Sequence, residues 1–153
     1  MMNKKYLFTI LLALVLLSCG KNEFDAYDNA FIHIMKDEIS STTVSSKANT
    51  VGAYYVYLSS KTLTQDLTVV YSIAAGDGLE EGVDYEVVNS SDEIVFLPGI
   101  FDMPVRIRWM SNTLDTAKDN TLTIRIESNN LGLTMGLPGS DELQREFTIT
   151  KVN

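Results

Sequence analysis

Leu122-Thr123-Ile124-Arg125-Ile126-Glu127 is the stretch whose reading decides the fold class. Apolar and polar residues alternate strictly, and a strand sends successive side chains to opposite faces, so Leu122, Ile124 and Ile126 point one way and their neighbours the other. Such a segment reads as a half-buried strand. The same period runs outward from it in both directions. Leu67, Val69, Tyr71 and Ile73 share a face, as do Val105, Ile107 and Trp109, and Phe147 and Ile149. Shorter candidates are Ala30 to Lys36, Ala53 to Leu58, Tyr85 to Val88 and Glu93 to Leu97. No segment keeps a helical period for ten or more residues.

Turn chemistry separates these runs: Ala75-Gly76-Asp77-Gly78, Glu81-Gly82, Asn89-Ser90-Ser91-Asp92, Leu97-Pro98-Gly99 and Leu137-Pro138-Gly139. Short strands at this spacing predict an all-β protein, a single antiparallel immunoglobulin-like β-sandwich of seven or eight strands. The Ser- and Thr-rich segment from Ile39 to Thr50 reads as a loop or a ragged edge strand. At 153 residues with 45% hydrophobic content, the chain holds one domain with a true core, assigned to residues 29–153.

The N-terminus belongs to export rather than to the fold. Lys4 and Lys5 precede the apolar run Tyr6 to Leu17, which ends in Ser18 and Cys19. Twelve residues are too few to span hydrocarbon as a helix, which takes about 20. Leu16-Leu17-Ser18-Cys19 resembles the lipobox of bacterial lipoproteins, although Leu17 replaces the more usual small residue. The resemblance implies a signal peptide over residues 1–18, cleavage before Cys19, and lipidation of that thiol as the link to a membrane. An ordinary secretory signal with an incidental Cys is the alternative. Residues 19–28, Cys19 to Asp28, form a polar, acidic tether. Its Lys21, Glu23 and Asp25 resemble the signal that sends lipoproteins of the Bacteroidota to the outer face of the outer membrane. A plain solvated linker has the same composition.

Charge and composition exclude several functions. Twenty acidic residues against 12 basic give a net charge of -8, and loss of Lys4 and Lys5 takes it to -10, so nucleic acid is not an expected partner. The chain has one Cys, which lipidation would consume, and one His. No nucleophile elbow, phosphate loop or Ser-His-Asp arrangement is present, and the chain reads as a non-enzyme. His33 has no second His or Cys near it in sequence and reads as a strand histidine, while Trp109 continues a core face.

Gly82-Val83-Asp84-Tyr85, followed by Ile94-Val95-Phe96-Leu97-Pro98-Gly99 and Val105-Arg106-Ile107-Arg108, is similar to the middle of Calx-beta-like domains. It equally resembles the Ig-like domains of Bacteroidota surface lipoproteins from polysaccharide-utilisation loci. Calx-beta domains that bind Ca²⁺ do so through loop acids, which implies Asp77, Glu80, Glu81 and Asp84 as candidate ligands. Solvated loop acids are the plainer reading, and no cofactor is otherwise expected. Tyr55 and Tyr57 share a strand face opposite Tyr54, Val56 and Leu58, and an outward tyrosine pair suits stacking on a sugar ring. Asp115-Thr116-Ala117 resembles the O-glycosylation acceptor of exported Bacteroidota proteins, with Thr116 as the acceptor. The expectation is a lipid-anchored outer-membrane binding or accessory module that takes part in glycan capture or uptake, with glycan or an outer-membrane protein complex as partner, or else an adhesion or structural protein that contacts another protein through a sheet edge or loops.

Overall fold

The computed structural model describes residues 29–153, which are all-β with no helix among them. The signal peptide, Cys19 and the tether lie outside the described residues. Ten strands form two five-stranded sheets. They are β1 (Phe31–Met35), β2 (Ser41–Ser45), β3 (Thr50–Ser59), β4 (Leu67–Ala75), β5 (Tyr85–Val87), β6 (Glu93–Phe96), β7 (Asp102–Trp109), β8 (Thr121–Asn129), β9 (Thr134–Met135) and β10 (Glu146–Val152). The first sheet has the order β5-β7-β3-β1-β9 and the second β2-β10-β8-β4-β6. The Ig-like β-sandwich expected from the alternation is present, and each of the eight apolar runs named above falls on a strand.

Two short strands bring the number to ten. β2 forms inside Ile39 to Thr50, where only Thr42 and Val44 turn partly inward, so the stretch carries little apolar period. Its order comes from pairing in parallel with β10, from Ser41 opposite Thr148 to Ser45 opposite Val152. β9 is two residues long and pairs in parallel with β1. Every pairing inside both sheets is antiparallel, so the two parallel ladders are confined to their margins.

The core lies between the sheets and includes Ile32, Ile34, Val56, Leu67, Val69, Ile107, Leu122, Ile124, Ile126, Phe147 and Ile149. Burying such faces stabilises the fold by about 25 cal/mol per Å² of apolar area. Trp109 is 1% exposed, and its indole Nε1–H donates to the Tyr54 hydroxyl at 2.9 Å. Gly52 makes this contact possible. A Cβ there would lie 2.9 Å from the Tyr54 hydroxyl, so the missing side chain leaves room for the ring.

Tyr54→Phe removes the only acceptor of the Trp109 donor in a dry core, which costs about 1–3 kcal/mol. Trp109 is the single tryptophan, so its fluorescence follows urea unfolding directly. The midpoint should fall while the denaturant slope stays unchanged.

Candidate functional site

The site grows from the outer face of the β1–β3 pair. Both strands alternate about a buried set: Ile32 and Ile34 on β1, and Tyr54, Val56 and Leu58 on β3. The intervening residues therefore face away from the core. Antiparallel register places Phe31 opposite Ser59, His33 opposite Tyr57 and Met35 opposite Tyr55. The rings form a continuous row. Phe31 and His33 have centroids 5.3 Å apart, His33 stacks on Tyr57 at 5.5 Å and 22°, and Tyr55 lies 6.1 Å from Tyr57. Both tyrosines are partly exposed, as the alternation requires.

His33, expected only as a strand histidine, belongs to this row. It is 6% exposed although it points away from the core, and its Nδ1 is buried without a hydrogen-bond partner. Burial lowers its pKa, so the ring stays neutral and free to donate or accept. Burial also raises the pKa of the Tyr57 phenol, and the charges of Asp102, Tyr55 and Asp37 add to that rise. A neutral, protonated phenol is a hydrogen-bond donor for an uncharged ligand. The signal for His33 was its register against Tyr57, which emerges only when two strands separated by the whole β2 segment are paired.

The acidic residues have a different fate. Asp84 is 3% exposed and its Oδ1 accepts a hydrogen bond from Lys151 Nζ at 2.8 Å. Its Oδ1 also accepts from Asn112 Nδ2, and its Oδ2 from the Glu80 N–H. Lys151 gives its remaining donors to the backbone carbonyls of Asp84 and Met110. Asp77 instead accepts the Asp119 N–H at 2.9 Å, in a loop where Gly76 and Gly78 admit the Asp119 carbonyl and the Asp119 and Asn120 side chains at distances a Cβ would block. Glu80 and Glu81 are exposed. Among the described residues no three His, Cys, Asp or Glu side chains stand together as metal ligands would. The four acids expected as a Ca²⁺ set are thus not assembled into one, because Asp84 is turned inward to Lys151 and Asp77 is spent on its own loop.

The inward Lys151 was hidden in plain alternation. Phe147 and Ile149 continue at the next step of two to Lys151, so the period itself puts this ammonium in the core. Thr116 sits on an exposed turn in which Asp115 Oδ1 accepts the Ala117 N–H at 2.9 Å. An open cleft of about 420 Å³ between β4 and the segment after β5 is lined by Tyr71, Ile73, Val87 and Asn89 to Asp92. Its Tyr71 hydroxyl already donates to the Ser91 carbonyl, so it offers few unmet polar groups.

No protein-family model matches the sequence, and no curated protein matches it. Among solved structures, the crystal structure of CBD12 from CALX1.2, a Calx-beta structure, is similar with a TM-score of 0.58 at 16% identity, over 79% of this chain and 43% of that one. The fold is Calx-beta-like. At this identity the likeness speaks for architecture alone, and the chain spans less than half of its structural neighbour. Within that Calx-beta-like frame, Gly82-Val83-Asp84-Tyr85 makes a turn with Gly82 at φ 84°, delivers Tyr85 to the core and turns Asp84 inward.

Burial alone would raise the Asp84 pKa, but the hydrogen bonds from Lys151, Glu80 and Asn112, with the Lys151 charge, outweigh it and hold it below the usual aspartate range. A depressed folded pKa means the unfolded chain binds the proton more readily. This contribution is present above the unfolded value of about 4 and is lost as pH falls through the folded one. Asp84→Asn should flatten acid unfolding in that window. Asp84→Ala strands a buried ammonium and should cost about 3–5 kcal/mol in chemical denaturation.

Proposed function

We propose that this protein is a lipid-anchored, non-catalytic binding module of the bacterial outer membrane that captures glycan on the outer face of β1 and β3. The observation that carries the reading is the row Phe31, His33, Tyr57 and Tyr55, with two phenols partly exposed and one imidazole nitrogen lacking a partner. Flat rings stack on the apolar faces of sugars, and phenol and imidazole groups hydrogen-bond sugar hydroxyls without needing charge. The acidic balance favours neutral or cationic glycans over sulfated or uronic ones. Lipidation of Cys19 is the proposed attachment, and the run of acidic tether residues supports presentation at the cell surface. Thr116, on its exposed turn, is the proposed site of sugar attachment.

A second reading, protein contact through a sheet edge, is favoured by β2. This edge strand, Ser41–Ser45, carries neither charge nor proline, the usual guards against strand addition.

On a glycan array, the purified protein should retain neutral polysaccharides in preference to acidic ones. Tyr55→Ala and Tyr57→Ala should each weaken binding about tenfold, a loss near 1.4 kcal/mol, with the unfolding midpoint held near wild type. Undiminished binding by both variants would remove the tyrosine platform and bring the β2 edge forward.

In cells supplied with radiolabelled palmitate, the wild type should carry label and Cys19→Ser should not. Equal, unlabelled export of both would refute the anchor.

A further inference from the structure

The connection between β6 and β7, Leu97-Pro98-Gly99-Ile100-Phe101, exposes three large apolar side chains within five residues: Leu97 at 56%, Ile100 at 42% and Phe101 at 39%. Scattered apolar side chains are ordinary on a protein surface, whereas a cluster at one loop tip marks a contact. The tip is well formed. The Ile100 N–H donates to the Leu97 carbonyl at 2.9 Å, Gly99 takes φ 88°, and the Phe101 carbonyl accepts the Leu58 N–H at 2.8 Å. The loop is therefore pinned to β3 with these apolar side chains exposed.

Its position in the sandwich says what it meets. Phe31, the first residue of β1, pairs with Ser59 at the end of β3 and with Thr134 of β9. Leu58 and Tyr57 in turn lie beside Phe101 and Asp102. The chain thus enters the domain at the same pole from which this loop projects. Twelve Cα steps separate Cys19 from Phe31, a reach of at most about 40 Å. A lipid on Cys19 would keep the domain close to the bilayer with its point of entry at this pole, at an effective concentration that makes weak apolar contacts count. The charges agree. Asp77, Glu80, Glu81, Asp115 and Asp119 gather with Lys118 at the opposite pole, where β4 ends and β8 begins, while Lys61, Asp66 and Asp102 flank the loop's own end.

We propose that Leu97, Ile100 and Phe101 form a membrane-seating loop that dips into the lipid interface beneath the anchored domain. The proposal rests on the Cys19 anchor and extends it, because it fixes the orientation of the sandwich: poles along the membrane normal, and the Tyr55 and Tyr57 face turned sideways.

The test places an environment-sensitive fluorophore on the full-length protein through Phe101→Cys, with Ile100→Cys as a second site and Lys118→Cys at the far pole as the control. Acylation keeps Cys19 from reacting, and intact mass reports it. The protein is reconstituted in phosphatidylcholine vesicles with brominated acyl chains. Fluorophores at positions 100 and 101 should shift to the blue and lose at least half their intensity to bromine, while that at position 118 should not. Acylated Cys19 with fluorophores at 100 and 101 as water-exposed as at 118 overturns the proposal. So does shielding seen only in native membranes and not in vesicles, which would mean a protein covers the loop. An unacylated Cys19 refutes the anchor instead. In that case the same fluorophores, with Cys19→Ser protein added to vesicles, still decide whether the loop has affinity for lipid: quenching upholds it and its absence overturns it.

Discussion

The closure of this sandwich depends on one buried charge. Lys151 reaches from the second sheet, on β10, to Asp84 just ahead of β5 in the first, and both groups are cut off from water. Removing an ammonium and a carboxylate from water is costly unless every donor and acceptor is met. Here Lys151 has three oxygen partners and Asp84 receives Lys151, Asn112 and the Glu80 N–H. The pair therefore tolerates only one relative placement of the sheets at this pole. A slipped β10 would leave a bare ammonium among Phe147, Ile149 and the other core side chains.

With that placement set, β3 works in two directions at once. Its inner residues Tyr54, Val56 and Leu58 fill the core, and Tyr54 answers the Trp109 donor. Its outer residues Tyr55 and Tyr57 line up with His33 and Phe31 on β1. The ring row is positioned by register, so it inherits the rigidity of a ladder of five residue pairs rather than the looseness of a loop. That is the quality a stacking platform needs, since a displaced ring loses contact with the whole face of a ligand.

Alternation carried most of the architecture, because a half-buried strand must alternate and nothing in Leu122 to Glu127 competes with that pattern. It also separated Tyr54 from Tyr55 and Tyr57 before any pairing was known. It gave little for β2, whose five residues are ordered by the backbone of β10 and not by their own side chains. The acids were misleading for a related reason. Asp77, Glu80, Glu81 and Asp84 are close in sequence, but a tight turn around Gly82 aims Asp84 into the core, and what it meets there lies on β10. Neighbourhood along a chain and convergence in space are different quantities, and His33 with Tyr57 is the same lesson in the opposite direction.

The span of the central ion pair has a consequence for the timing of folding. Lys151 follows Asp84 by 67 residues, so the contact that completes the sandwich is absent until β10 has joined the rest. Until then Asp84 lacks its ammonium partner. Late closure through distant contacts makes for slow folding.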